Sequence, residues 1–283
     1  MKSISLDAHA KINLSLDILG KLPNGYHSVK MIMQQIPLCD TVKIEATDGS
    51  GIEIFCDTEG VPTDERNSAY KGAELFLEKT NISSKIKITL NKKIPAAAGM
   101  AGGSTDAAAV LKGLNELFDY PLSNEEILEL CLKIGADVPF CYMGGCAISE
   151  GIGEILTPIP PLENAHIVIA KPQFEVSTAW VYQNFKMENV SSRPDTEAVI
   201  SAIAKGDLKG LAENTANVLE TVTEREYPII TEYKNILKNM GAKLSMMSGS
   251  GPTVFGIFDD LKLAESAYKK MQKLTKDSFL LKI

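Results

Sequence analysis

The chain has 283 residues, 45% hydrophobic and 23% charged, a balance that suits a soluble protein with a real core in one large domain or two ordinary ones. Its formal charge is −7, from 36 acidic and 29 basic residues, which argues against nonspecific binding to nucleic acid or anionic membrane, since both need a basic surface. Five cysteines (Cys39, Cys56, Cys131, Cys141, Cys146) form no CxxC pair, so buried thiols in a reducing cytoplasm are expected rather than a disulfide framework or a metal site.

The opening residues, MKSISLDAHAKINLSLDILG, hold no signal-peptide core, and no apolar run approaches the ~20 residues that span a bilayer. A cytoplasmic location is expected. From Ile4 to Ile18 apolar and polar residues alternate strictly, the pattern of an extended strand with one face on a core. Its length predicts a bend or bulge. LPNGYH follows as a turn, with Pro23, Asn24 and Gly25 as breakers. Val42 to Ala46 and Ile52 to Cys56 read as strands paired around DGSG. Asn67 predicts the N-cap of a helix to about Lys79, and Ile86, Ile88 and Leu90 mark a further strand.

IPAAAGMAGGSTDAAAVLKGLN, from Ile94, then exposes an unusual amount of bare backbone ahead of a helix carried by Ala107, Ala108, Leu111, Leu114 and Phe118. It is neither a GxxxxGK[ST] loop nor a GxGxxG fingerprint. A small-residue connection made for tight packing is one reading. The other is an anion cradle. Gly99, Gly102 and Gly103 would let an oxygen approach their amides, Ser104 would cap the helix, and free N-terminal amides attract phosphate. SNEE at Ser123 is a capping box for a helix to about Ile134. PIPPLENA (Pro158 to Ala165) reads as a linker, followed by a strand, HIVIA. Helices are expected near Ser177, Thr196, Asp207, Ile229 and Leu261, with a strand from Thr253 to Phe258 and a last strand after the final helix. Two α+β domains, 1–157 and 158–283, fit this order.

PAAAGMAGGSTDAA resembles the second motif of the GHMP kinases, the family of galacto-, homoserine, mevalonate and phosphomevalonate kinases; Gly99-Met100 and Ser104-Thr105 stand where the usual form has Gly-Leu and Ser-Ser. AKINLSLDILGKLPNGYHSV, GADVPFCYMGGCA and MSGSGPTVFGIF are similar, in order, to the other motifs of the branch that phosphorylates cytidine-diphosphate-linked methylerythritol. The resemblance implies a two-domain α+β fold, with an N-terminal ribosomal-protein-S5-domain-2-like half that binds ATP and a C-terminal ferredoxin-like α/β sandwich on the substrate side.

It also implies site residues. Asp137 would accept the hydroxyl proton, with Lys11 as its electrostatic partner. ATP would be held by Pro95, Ala96, Ala97, Ala98, Gly99, Met100, Ala101, Gly102, Gly103, Ser104 and Thr105, with Asn67 and Ser68 near the adenine. Asn13, Tyr26, His27, Thr178, Tyr182, Gly249, Ser250 and Gly251 would hold the other substrate, with Trp180 and Phe185 competing with Tyr182 for the cytosine ring. Read without the resemblance, Lys11 is a solvated lysine, Asp137 a helix or turn cap, and SGSGP a structural turn.

The small molecules implied are ATP, with nucleotide-bound Mg2+, and CDP-methylerythritol. No protein metal site, obligate protein partner, nucleic acid or membrane is implied. Another GHMP kinase, acting on homoserine or mevalonate, is the alternative. A nucleotide-binding module without chemistry would require the Lys11–Asp137 pair to be lost, and both are present.

Overall fold

A computed structural model describes residues 2–23 and 25–283; Asn24 of the expected turn lies outside the described residues. In chain order the elements begin with β1 (Lys2–Lys21), β2 (His27–Thr47), β3 (Gly51–Cys56), α1 (Ser68–Thr80), β4 (Lys85–Asn91), α2 (Gly102–Leu117), α3 (Asn124–Ile134) and α4 (Val138–Met143). There follow β5 (Cys146–Gly151), β6 (Ile155–Pro158), β7 (His166–Lys171), α5 (Thr178–Asn184), α6 (Thr196–Lys205), α7 (Leu208–Asn214), α8 (Glu220–Glu226) and α9 (Ile229–Asn239). β8 (Leu244–Met247), β9 (Val254–Phe258), α10 (Leu261–Met271) and β10 (Asp277–Lys282) complete the chain.

These elements form two compact units that interleave along the chain: Met1–Ala10, Leu38–Ala96 and Ala101–Gly144 in the first, Lys11–Pro37, Ala97–Met100 and Gly145–Ile283 in the second. Each unit is thus assembled from three separate segments of sequence. β1 runs for 20 residues, longer than the alternating Ile4–Ile18 stretch.

In the first unit, the expected pairing of Val42–Ala46 with Ile52–Cys56 does not form. β4 lies between them, antiparallel to β2 and parallel to β3. The cause is α1, whose intervention between β3 and β4 makes a crossover that carries β4 back parallel to β3. Composition agrees, because Ile86, Ile88 and Leu90 of β4 are fully buried while Phe55 of β3 remains exposed, as suits an edge strand. Asn67 caps α1 by accepting the Ala69 N–H, and Ser123 and Glu126 form the expected capping box on α3. Phe76, Ile44, Leu111, Leu114 and Ile127 fill the core beneath these helices.

In the second unit, β7, β8, β9 and β10 form an antiparallel sheet in the order β10-β7-β9-β8. The proline-rich 158–165 segment is no loose linker. Gln34 brackets buried Leu162, donating to its carbonyl and accepting its N–H, both at 2.8 Å, and Ala165 exchanges backbone bonds with Ile283.

Candidate functional site

The glycine-rich loop has an unusual backbone. Ala97, Gly99 and Ala101 all adopt left-handed φ, at 47°, 70° and 61°, so every second residue reverses the chain. Two alanines in this region cost about 1–2 kcal/mol each, strain of the kind that gathers at functional loops. Where right- and left-handed residues alternate, successive amides turn to one side and make an anion-binding concavity. Ala101, not Ser104, occupies the N-cap of α2, and it makes no side-chain cap. Ser104 lies within the first turn, so the expected N-cap is displaced by three residues and the first amides of α2 have no capping side chain.

α1 starts beside α2. A Cβ placed on Gly103 would lie 3.9 Å from the Ser68 hydroxyl, and one on Gly72 would lie 3.2 Å from the Ala107 carbonyl oxygen. The two helices therefore run parallel, and their positive ends share one side. Parallel dipoles repel, yet an anion near both ends is favoured, by about 0.3–1 kcal/mol per helix at an exposed site. Small residues at Ala69, Gly72, Ala73, Ala107 and Ala108 permit this close approach.

β1 runs beside the loop. Thr105 donates its hydroxyl to the His9 carbonyl oxygen at 2.7 Å, and the Lys11 N–H donates to the Met100 carbonyl oxygen at 3.2 Å. Thr105 is buried, with its hydroxyl committed to this bond, which leaves Ser104 as the half-buried hydroxyl of the pair. From Ala10 to Ile18 both faces of β1 are buried, so the polar alternation there does not mark solvent. Lys11 is 4% exposed, and its ammonium donates to Asn13 Oδ1 at 2.7 Å; Asn13 in turn donates to the Met31 sulfur. Burying a lysine is costly unless it is paired, so the solvated-lysine reading fails.

The SGSGP turn lies against the glycine-rich loop. Ser248 donates to the Gly99 carbonyl oxygen, and a Cβ on Gly249 would sit 3.2 Å from that oxygen and 3.5 Å from Asn13 Oδ1. Thr178 and Ser250 share a hydroxyl–hydroxyl bond at 2.8 Å. Asn217, which sequence reading missed, is 3% exposed and donates to both the Met247 and Gly249 carbonyl oxygens. No motif flags an asparagine of this kind, because its role is to satisfy backbone groups of a remote turn.

The aromatic competitors separate. His27 lies 5.4 Å from the Tyr182 ring and 6.3 Å, edge-on, from Phe185. Trp180 instead meets Tyr227 at 6.4 Å, and Tyr227 stacks on Phe174 at 4.7 Å, a cluster that does not include His27. Burial, then the nearby Lys21 charge, lowers the His27 pKa, which favours a neutral ring with one donor and one acceptor. Tyr26 is 61% exposed.

Asp137 occupies the N-cap position of α4 without a side-chain capping bond to that helix. It belongs to the first unit with Asn67, Ser68, Pro95, Ala96 and Ala101–Thr105. Lys11, Asn13, Tyr26, His27, Ala97–Met100, Thr178, Tyr182 and Gly249–Gly251 belong to the second. No cluster of three or more histidine, cysteine or acidic side chains suited to a metal ion occurs among the described residues, and no helix among them is long and apolar enough to cross a membrane.

The sequence profile of the GHMP kinases N terminal domain matches residues 67–145, and that of the GHMP kinases C terminal domain matches residues 199–277. The chain belongs to the GHMP kinase family and has its two-domain fold. A 4-diphosphocytidyl-2-C-methyl-D-erythritol kinase of Acetivibrio thermocellus is 52% identical over 280 residues, 99% of both chains. A crystal structure of 4-(cytidine 5'-diphospho)-2C-methyl-D-erythritol kinase aligns with a TM-score of 0.84 at 30% identity, covering 98% of both chains. Within the family, the chain groups with these 4-diphosphocytidyl-2-C-methyl-D-erythritol kinases. A homoserine kinase from Cytophaga hutchinsonii, at 19% identity and a TM-score of 0.80 over 100% of this chain and 95% of its own, shares the fold alone.

Proposed function

We propose that this protein transfers the γ-phosphoryl group of ATP to the 2-hydroxyl of 4-diphosphocytidyl-2-C-methyl-D-erythritol, giving the 2-phosphate and ADP, a step of the non-mevalonate route to isopentenyl diphosphate. The observation that carries this reading is the 52% identity, over essentially the whole chain, to a relative bearing that enzyme's name. In the proposed mechanism Asp137 takes the hydroxyl proton, while the Lys11 ammonium, oriented by Asn13, steadies the charge of the transferring group. Phosphoryl transfer has a loose transition state, so positioning and electrostatics supply most of the acceleration.

The amides of the glycine-rich loop and of the α2 N-terminus would bind the ATP phosphates, with Asn67 and Ser68 toward the adenine. Magnesium would travel on those phosphates, neutralising charge between them, with Ser104 the loop hydroxyl best suited to it because Thr105 already donates to His9. Tyr26 and Tyr182 would stack on the cytosine, a contact worth about 1–3 kcal/mol per base. Neutral His27 would read the base's hydrogen-bonding edge, and Thr178, Gly249, Ser250 and Gly251 would hold the remainder. In this scheme residues 1–157 supply ATP binding, catalysis and the Tyr26 and His27 contacts to the base, and residues 158–283 the rest of the substrate side. The small-molecule reading calls for no nucleic-acid, membrane or obligate protein partner and suits a cytoplasmic enzyme.

The test is an ADP-release assay offering CDP-methylerythritol, homoserine and mevalonate separately. Turnover of the first alone is expected; preference for either of the others would overturn the proposal.

A further inference from the structure

A buried charged cluster flanks the glycine-rich loop at both of its ends. Lys92 follows β4, three residues ahead of Pro95, and its ammonium reaches two carboxylates, Asp40 on β2 and Asp106 Oδ2 on α2, the latter at 2.5 Å. Asp40 has a second task. Its Oδ1 accepts the backbone N–H groups of Lys93 at 2.6 Å and Ile94 at 2.8 Å, the residues that lead into the loop. Asp106 lies in the second turn of α2, just after the loop ends. All three side chains are 8% exposed or less. The glycine at 102 leaves room for this arrangement, since a Cβ there would lie 3.6 Å from the Lys92 nitrogen and 3.2 Å from Ile94 Cγ2.

The arrangement is a poor device for stability alone. One ammonium serves two carboxylates, Asp106 Oδ1 is buried without a hydrogen-bond partner, and a buried ion cluster is commonly no better than apolar packing of equal volume. What it does supply is geometry. Asp40 fixes the backbone before the loop, Asp106 is built into the helix after it, and Lys92 ties one carboxylate to the other.

We propose that Asp40, Lys92 and Asp106 are positioning residues for the glycine-rich loop, a bracket that sets the spacing of its two ends and so the aim of its amides at the nucleotide phosphates. This rests on reading that loop as the ATP site. In that reading the three residues act through the loop they hold.

The test compares wild type with Asp106→Asn, Lys92→Met and Lys92→Arg, measuring kcat, the KM for ATP, the KM for CDP-methylerythritol, and ADP affinity by calorimetry. The first two variants are expected to raise the ATP KM and the ADP Kd about tenfold or more, since misplacing positioned groups by about 1 Å can cost about 10²-fold. The KM for CDP-methylerythritol should stay within about twofold, the signature of a loss confined to one substrate. Lys92→Arg, which keeps the charge, should recover most of the loss. Unchanged ADP affinity in folded Asp106→Asn, or equal shifts in both KM values, would overturn the bracket. Should Lys92→Met fail to fold, Asp106→Asn decides, because it alters charge with almost no change of volume. A wild type that binds ADP but leaves CDP-methylerythritol untouched would overturn the proposed substrate, with ADP calorimetry on the variants still deciding the bracket.

Discussion

Ser248 donates its hydroxyl to the carbonyl oxygen of Gly99 at 3.0 Å, joining two glycine turns that stand 149 residues apart in the chain. Gly99 has φ +70°, and a Cβ on it would strike the Ser248 carbonyl oxygen. At this position, then, the missing side chain serves the contact between turns.

Gly99→Ala is therefore expected to destabilise the protein by about 1–2 kcal/mol for the left-handed conformation alone, and by more for the collision with backbone. Gly103→Ala should behave differently, since its nearest neighbour would be 3.9 Å away and alanine is the better helix former. Its stability should be unchanged or raised by up to about 1 kcal/mol while the KM for ATP rises. Urea unfolding midpoints beside ATP titrations check both, and a stable, fully active Gly99→Ala would refute the account.

Asp137→Asn keeps the shape of the side chain and removes the proposed base. Turnover should fall by about 10²–10⁴-fold, the usual share of general-base catalysis, with ADP affinity retained. Single-turnover phosphorylation measured beside calorimetric ADP binding separates the two effects. Near-normal turnover would sink the assignment.

The aromatic geometry makes a discriminating forecast. Tyr182→Ala, beside His27, should raise the KM for the cytidine substrate and spare ATP. Trp180→Ala, in the Phe174–Tyr227 cluster, should instead lower the melting temperature and leave that KM unchanged. A reversed pattern in the two KM series would show that the cytosine stacks elsewhere.

Burial pushes the Asp106 carboxyl up to about 7 from 3.8, against the pull of Lys92 and with help from the Asp40 charge. A carboxyl whose pKa is raised by folding binds its proton more tightly in the native state. Its favourable contribution is complete below the unfolded value and is lost as pH rises through the folded one. The unfolding free energy of wild type relative to Asp106→Asn should consequently decline between about pH 4 and pH 7. A difference that stays flat, or grows, across that window would contradict the shift.

Most helix boundaries were legible because their signals are local. Asn67 and the Ser123–Glu126 box cap the helices they were expected to cap. The errors came where a local signal met a longer-range constraint. DGSG invited a hairpin, but the β3–α1–β4 crossover placed β4 in the middle. Ser104 looked like a cap, but left-handed Ala101 starts the helix earlier. Taken without the resemblance, Lys11 reads as solvated because a period of two reveals that faces differ and says nothing about whether the polar one is covered. The Asp40–Lys92–Asp106 cluster was invisible for a related reason, since three scattered charges carry no spacing that a motif could record.

The interleaving of the two compact units has a practical corollary. The chain passes back and forth between them, so no single breakpoint yields either unit whole and clean. A fragment ending at Gly144 would carry every segment of the first unit together with two stranded pieces of the second, Lys11–Pro37 and Ala97–Met100. Recombination at one site could not transplant the second unit whole into a relative, and a split reporter cut there would divide that unit between its two parts.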